Sequence, residues 1–424
     1  MNKSKELSLF TFKQLKKTFF FAYDPLKTIW KENPYSIVLF LIMIFAIILR
    51  TYKLEFLPGG VSKNELEFIG RFKEVGDLKK IWLGKNFNNG LYIFANSLIY
   101  RAFGLKVYYF RAFSALVGIG TVYLTYLFTK EWFNKQSAYI AGLLLAFSSW
   151  HITISRNIDP VVLQPFFILL IFYFASHAFR SKKLSFVFLS GIFLGLSVYV
   201  SSAFLMLPLL LLVAAIYFYF KNKKFLNVYI KEISVVSNVF LLVALPFFYN
   251  LFERSYAFVS EYSFIGVRDS LYNFGDIIWS FFGKGVTNNF HNLGNTPLLD
   301  PFTGVIFLIG IAYALLNWGS RKNFFLLAWI FIMSTPAIFS ANFFDKIYVI
   351  LPAIYILTAV TLDYLLSEWF TTFPLNKKAR MSMVLLVSFF FLLTFSFNFK
   401  KYFVAWAGSK EVKNLYSENT SLIK

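Results

Sequence analysis

Cysteine is absent from the 424-residue chain and histidine occurs three times. That excludes disulfides, thiolate chemistry and Cys-ligated metals, and it leaves little for a histidine metal site. Charge is scarce as well: 15% of residues are charged, against 58% hydrophobic and 57 Phe. A soluble domain leaves most of its surface to water and does not carry repeated apolar runs of about 20 residues, the length a helix needs to cross roughly 30 Å of hydrocarbon. A cleavable leader is not visible, because residues 1–34 are Lys-rich and interrupted and the first apolar run, Ile37 to Leu49, lacks a small-residue cleavage site. Internal repeats are missing too, and the apolar runs are almost bare of charge, whereas transport calls for repeats or for polar, broken midplane helices.

What the chain has is apolar segments. Windows near 35–50, 108–129, 136–150, 160–178, 186–200, 203–220, 233–251, 301–317, 323–339, 347–366 and 381–398 read as helices. The expectation is an all-α polytopic membrane protein of about eleven spans, residues 35–398. Residues 1–34, mixing Lys with Phe and Leu, read as a cytoplasmic amphipathic segment, and 399–424 as an extracytoplasmic tail. In the long first outer loop, 51–107, Glu65 to Leu83 and Leu91 to Phe103 are patterned as interfacial helices. Gly191 and Gly195, four apart, read as a helix-packing face.

The net charge of +21 could suggest nucleic acid, but its distribution decides otherwise. Lys130 and Lys135; Arg180, Lys182 and Lys183; Lys221, Lys223, Lys224 and Lys231; Arg321 and Lys322; and Lys377, Lys378 and Arg380 all fall in short turns on one side. By the positive-inside rule that side is cytoplasmic, so the N-terminus is inside, the C-terminus outside, and the basic excess faces lipid headgroups. The other side receives the long segments 51–107 and 252–300, short turns at 151–159, 200–202 and 340–346, and most of the carboxylates. An active face is expected there, in a cell membrane.

Four stretches carry a resemblance: Arg111 to Gly118 (RAFSALVG), Ser148 to Arg156 (SSWHITISR), Gly191 to Tyr199 (GIFLGLSVY) and Pro297 to Gly304 (PLLDPFTG). In order and placement they resemble the bacterial branch of the GT-C glycosyltransferases, the protein O-mannosyltransferase and aminoarabinose transferase relatives with an RgtA/B/C/D-like domain, over about residues 37–366. The resemblance implies transfer of a hexose or pentose from a polyprenyl phosphate to a glycan, lipid or protein acceptor on the outer face. The donor is a substrate, and neither cofactor nor metal is expected. It also implies an Asp-Glu pair in the first loop, where this chain reads Ser62-Lys63-Asn64-Glu65.

With Asn64 in place of the first acid, the base of an inverting transfer has to come from elsewhere, since an amide takes no proton. Glu65 is the first candidate, although a one-residue shift on a helix turns a side chain by roughly 100°; Glu67 and Asp159 follow. Both glutamates also read as solvated carboxylates paired with Lys63 or Arg71. The leaving phosphate calls for cations, and the resemblance points to Arg156 and to Lys346, in the late turn Asn342 to Lys346 before Pro352. Arg156 also reads as an interfacial arginine snorkelling to headgroups. Trp150 and His151 read as interfacial anchors and His291 as a residue facing water, while Asn64, Arg268, Asp269, Asp300 and His291 are acceptor-side candidates. A second reading is a family member without catalysis that binds lipid-linked sugar or a partner; a transporter is a third.

Overall fold

The computed structural model describes residues 34–74, 89–253, 266–285 and 289–417. Among the described residues the chain is helical, with one isolated bridge, Val61 to Ser417. The helices are α1 (Pro34–Thr51), α2 (Lys63–Glu74), α3 (Gly90–Phe103), α4 (Val107–Trp132), α5 (Lys135–Phe147), α6 (Ser149–Arg156), α7 (Leu163–Ser181), α8 (Leu184–Ser197), α9 (Leu207–Lys221), α10 (Phe225–Glu253), α11 (Val267–Phe282), α12 (Pro301–Leu316), α13 (Arg321–Ile338), α14 (Leu351–Thr372), α15 (Lys377–Phe399) and α16 (Lys410–Leu415).

All eleven apolar segments are helices. Length and composition qualify six of them to cross a bilayer, or seven when the bent pair α5 and α6 is one span; α1, α8 and α12 are apolar but shorter. The protein is therefore an all-α membrane protein, with six or seven helices among the described residues long and apolar enough to cross a bilayer. Of the two helices expected in the first loop, α3 matches, and α2 ends at Glu74; residues 75–88 lie outside the described residues, as does the segment 1–33.

The bundle is organised around α14, whose residues Leu351 to Leu357 are all buried. The opposite case is α15, which turns Leu385, Leu386, Phe389 and Leu392 outward, the composition of a lipid-facing wall. Gly191 and Gly195 on α8 lie against Val239 and Val243 of α10, where a Cβ would come within 2.7 and 2.5 Å of the valine Cβ atoms, so small residues set the close approach of these helices.

Two features position the site. The chain bends by 59° between α5 and α6, where the Ser148 side chain leaves the first helix and accepts from the His151 amide to cap the second. This folds α6 back into the bundle and leaves residues 157–162 buried at its end. The basic turns meet at the other end: Arg180 donates to the Glu131 carbonyl, Tyr217 to the Trp318 and Gly319 carbonyls, and Lys322 lies over the Phe133 ring.

Candidate functional site

The turn after α1 has few backbone partners of its own for its carbonyls, and buried carbonyls must be satisfied. Two buried arginines do this. Arg156, from α6, donates to the Leu49, Tyr52 and Leu57 carbonyls and to the Tyr402 hydroxyl, at 2.7 to 3.0 Å. Arg111, from α4, donates to the Pro58 and Gly60 carbonyls and holds both carboxylate oxygens of Glu65, at 3.1 and 2.8 Å. Glu65 accepts further from the amides of Ser62 and Ile158. The Ser62 hydroxyl accepts in return from the Glu65 amide, so Ser62-x-x-Glu65 is a capping box that starts α2. Glu65 is fully buried and every oxygen is occupied, which corrects its reading as an available base or as a solvated carboxylate. Arg156 is likewise a buried clasp for the first turn, neither snorkelling to a surface nor presented to a cavity.

Beside this clasp lies a polar cavity of about 450 Å³, lined by Asn64, Glu67, Phe68 and Arg71 of α2, Asp159 to Val161, Gln164, Ser201, Ser202, Phe290, His291, Ser340, Asn342, Asp345 and Lys346. Asp159 is buried; its Oδ1 accepts from the Val161 amide at 3.0 Å and its Oδ2 lies 2.6 Å from His291 Nε2. On the other side of the imidazole, Asp345 Oδ1 is 3.8 Å from Nδ1. Burial works to lower the His291 pKa, but the charge and hydrogen bond of Asp159, with the charge of Asp345, outweigh it and raise the value above 6.5. His291 is 4% exposed, which corrects its reading as a residue facing water. The loop carrying it is held from both sides: Asn157 donates to the Phe290 carbonyl and Trp406 to the Asn289 carbonyl.

Lys346 is the cation placed in the cavity by the late turn, its Nζ donating to Ser340 Oγ at 2.6 Å. Glu67 lines the mouth, but its carboxylate is committed to Arg71 at 2.6 Å, one turn along α2. Asn64 lines the cavity as well. The remaining candidates lie elsewhere. Arg268 and Asp269 are exposed on α11 and do not line the cavity, because the buried face of that helix is Ser270, Ile277, Ser280 and Phe281. Asp300 is buried as the cap of α12 and is held by Thr303 and Asn398. Trp150 and His151 are core residues rather than interfacial anchors: Trp150 packs on Tyr348 and Phe281, and His151 Nδ1 accepts from Arg50 at 2.6 Å.

The cavity thus unites Asn64, Glu67, Asp159, His291 and Lys346 from the sequence candidates and adds Asp345, Gln164 and Ser202. Gln164 carried a usable signal, a lone amide at the start of an apolar helix, where an unpaired polar group is costly. Among the described residues no group of three or more His, Asp or Glu stands close enough to hold a metal ion.

Residues 80–260 match the family described as dolichyl-phosphate-mannose-protein mannosyltransferase. The archaeal oligosaccharyltransferase AglB from Archaeoglobus fulgidus, solved with an inhibitory peptide and a dolichol-phosphate, superposes with a TM-score of 0.59 at 14% identity, over 89% of this chain and 56% of that one. This chain therefore spans little more than half the length of that enzyme. ArnT from Cupriavidus metallidurans, bound to undecaprenyl phosphate, superposes with a TM-score of 0.54 at 14% identity, over 91% of this chain and 77% of that one. No curated protein matches the chain by sequence. The chain thus has the fold of these two membrane proteins, and residues 80–260 match the mannosyltransferase family by sequence.

Proposed function

We propose that the protein is a glycosyltransferase that moves a sugar from a polyprenyl phosphate to an acceptor glycan, lipid or protein, with inversion and with Asp159 as general base. The observation that carries the reading is a single polar cavity shared by a buried carboxylate–imidazole pair, Asp159 and His291, and an ammonium, Lys346. In the proposed step an acceptor hydroxyl oxygen attacks the anomeric carbon as the bond from that carbon to the phosphate oxygen breaks. Asp159 takes the hydroxyl proton and the polyprenyl phosphate leaves beside Lys346. His291 orients the carboxylate and shares its charge, and the lipid-linked donor enters as a substrate. Phosphate is gripped by an ammonium rather than by the planar fork of an arginine, since Arg156 is engaged with backbone and Arg71 in the cavity wall is paired with Glu67.

The related structures support the donor class: one was solved with dolichol-phosphate and another with undecaprenyl phosphate. The clustering of basic turns at the end away from the cavity supports a cavity opening on the non-cytoplasmic face of the cytoplasmic membrane, with the N-terminus inside and the C-terminus outside. The test is transfer of labelled sugar from undecaprenyl-phosphate donors to membrane acceptors by the wild type and by Asp159→Asn. Activity that falls by about 10² or more in the variant supports the assignment. A wild type that binds donor and transfers nothing would make Asn64 the mark of a binding protein without catalysis.

A further inference from the structure

Helix α11 lies at the end of the bundle that bears the cavity: Asn273 on its inner side donates to the Ile338 and Ser340 carbonyls, and Ser340 lines the cavity and accepts from Lys346. At 100° per residue its side chains sort into strips. Ser270, Ile277, Ser280 and Phe281 are buried against the bundle. On one side of that strip stand Val267, Leu271, Phe274 and Ile278, three or four positions apart and 78, 70, 47 and 47% exposed. Further round come Arg268, Tyr272 and Trp279, with the guanidinium over the Tyr272 ring. Asp269 and Asp276, both exposed, complete the circle on the far side.

A helix standing in water does not turn four large apolar side chains outward in one strip without a partner for them. A helix crossing the bilayer is ruled out as well, since α11 has 16 residues and carries Arg268, Asp269 and Asp276. The order of its strips, apolar, then aromatic with arginine, then carboxylate, is the order of surroundings from acyl chains through headgroups to water. The helices it packs on, α12 and α13, also expose apolar side chains near the same end: Val305 and Leu308 on α12 and Phe339 just beyond α13. The lipid-facing wall of the bundle therefore reaches the level of α11.

We propose that α11 is docked on the lipid surface at the cavity end of the protein, with Val267, Leu271, Phe274 and Ile278 among the acyl chains, Tyr272 and Trp279 with Arg268 at the headgroups, and Asp269 and Asp276 in water. The inference is independent of the transfer chemistry. It makes the leaflet a neighbour of the site, because the docked helix holds the Ser340 carbonyl and the Ser340 side chain holds the cavity's ammonium.

The absence of cysteine from the chain makes the test direct. Leu271→Cys, Ile278→Cys, Asp269→Cys and Asp276→Cys, all at exposed positions, are each labelled with a nitroxide in the full-length protein, in vesicles of phosphatidylethanolamine and phosphatidylglycerol. Relaxation of the label by oxygen, which concentrates among acyl chains, is compared with relaxation by a water-soluble nickel chelate. Oxygen should be the stronger relaxant at 271 and 278 and nickel the stronger at 269 and 276. As a measurement without a label, Trp279→Phe should lose part of the tryptophan quenching caused by lipids brominated near the headgroup. Nickel dominating at all four positions puts the helix in water and overturns the proposal. Oxygen dominating at all four sinks the helix into hydrocarbon and overturns it too. Labels at 271 and 278 that neither reagent reaches show the strip covered by protein, which overturns lipid as its occupant.

Discussion

Two buried carboxylates on neighbouring segments, Glu65 and Asp159, have opposite surroundings. Glu65 accepts from Nε and Nη2 of Arg111 and from two backbone amides, so its charge is paired and both its oxygens are engaged. Asp159 accepts from one amide and from an imidazole that itself titrates, and it lines a cavity. The first arrangement suits a fixed support, since both carboxylate oxygens are held by the arginine and by backbone amides. The second suits proton transfer, because its partner is an imidazole, a group that both donates and accepts protons, and the pair faces a cavity. The same carboxylate group is thus a structural anchor on one segment and a candidate base on the next, and only the partner tells them apart.

The comparison breaks most severely at Arg111. With both side chains fully buried, Arg111→Met should destabilise the fold by about 3–5 kcal/mol, because it strands the Glu65 charge and the Pro58 and Gly60 carbonyls. Thermal unfolding in detergent checks this, and adding Glu65→Gln should restore part of the loss by removing the unpaired charge. Next in size, Asp159→Asn should lower transfer by about 10², equivalent to about 2.7 kcal/mol of barrier, with a melting temperature near that of the wild type. If the two substitutions exchanged their effects, with Asp159→Asn unfolding and Arg111→Met inactive but stable, the roles assigned to the two regions would be reversed. Smaller again, Lys346→Gln should weaken donor binding by about tenfold, read as a raised KM with a lesser change in kcat, since the ammonium grips a phosphate present in ground and transition state alike.

The helices were legible because apolar composition leaves the backbone no other way to satisfy its polar groups in lipid; all eleven segments chosen on that basis are helical. The number that span fully was not legible, since α1, α8 and α12 are apolar but shorter than the helices whose length and composition qualify. Asp159 was named for its place in a short outer turn and Lys346 from the resemblance, and both line the cavity. Glu65 was misread for a specific reason. Ser62-x-x-Glu65 is a capping-box spacing, visible in the sequence, but a nearby amide where an acid was expected drew the reading toward catalysis. Arg111 and Arg156 were opaque in another way: which carbonyls they satisfy depends on the fold of residues 49–60, and nothing local in the sequence reports that. His291 lies 132 positions from Asp159, and no periodicity links them.

The smallest expected effect separates the two carboxylates by their response to pH. His291 has its pKa raised above 6.5 by Asp159 and Asp345 against the opposing effect of burial. A histidine raised on folding contributes stability that is complete below its unfolded value and is lost as pH rises through its folded value. The melting temperature should therefore fall as pH is raised from about 6 through the folded pKa of His291, and His291→Gln should remove that part of the profile. Glu65 has no such partner, because Arg111 stays charged throughout this range. A profile that keeps its fall in His291→Gln would place the titrating group elsewhere and would remove the physical distinction between the two carboxylates.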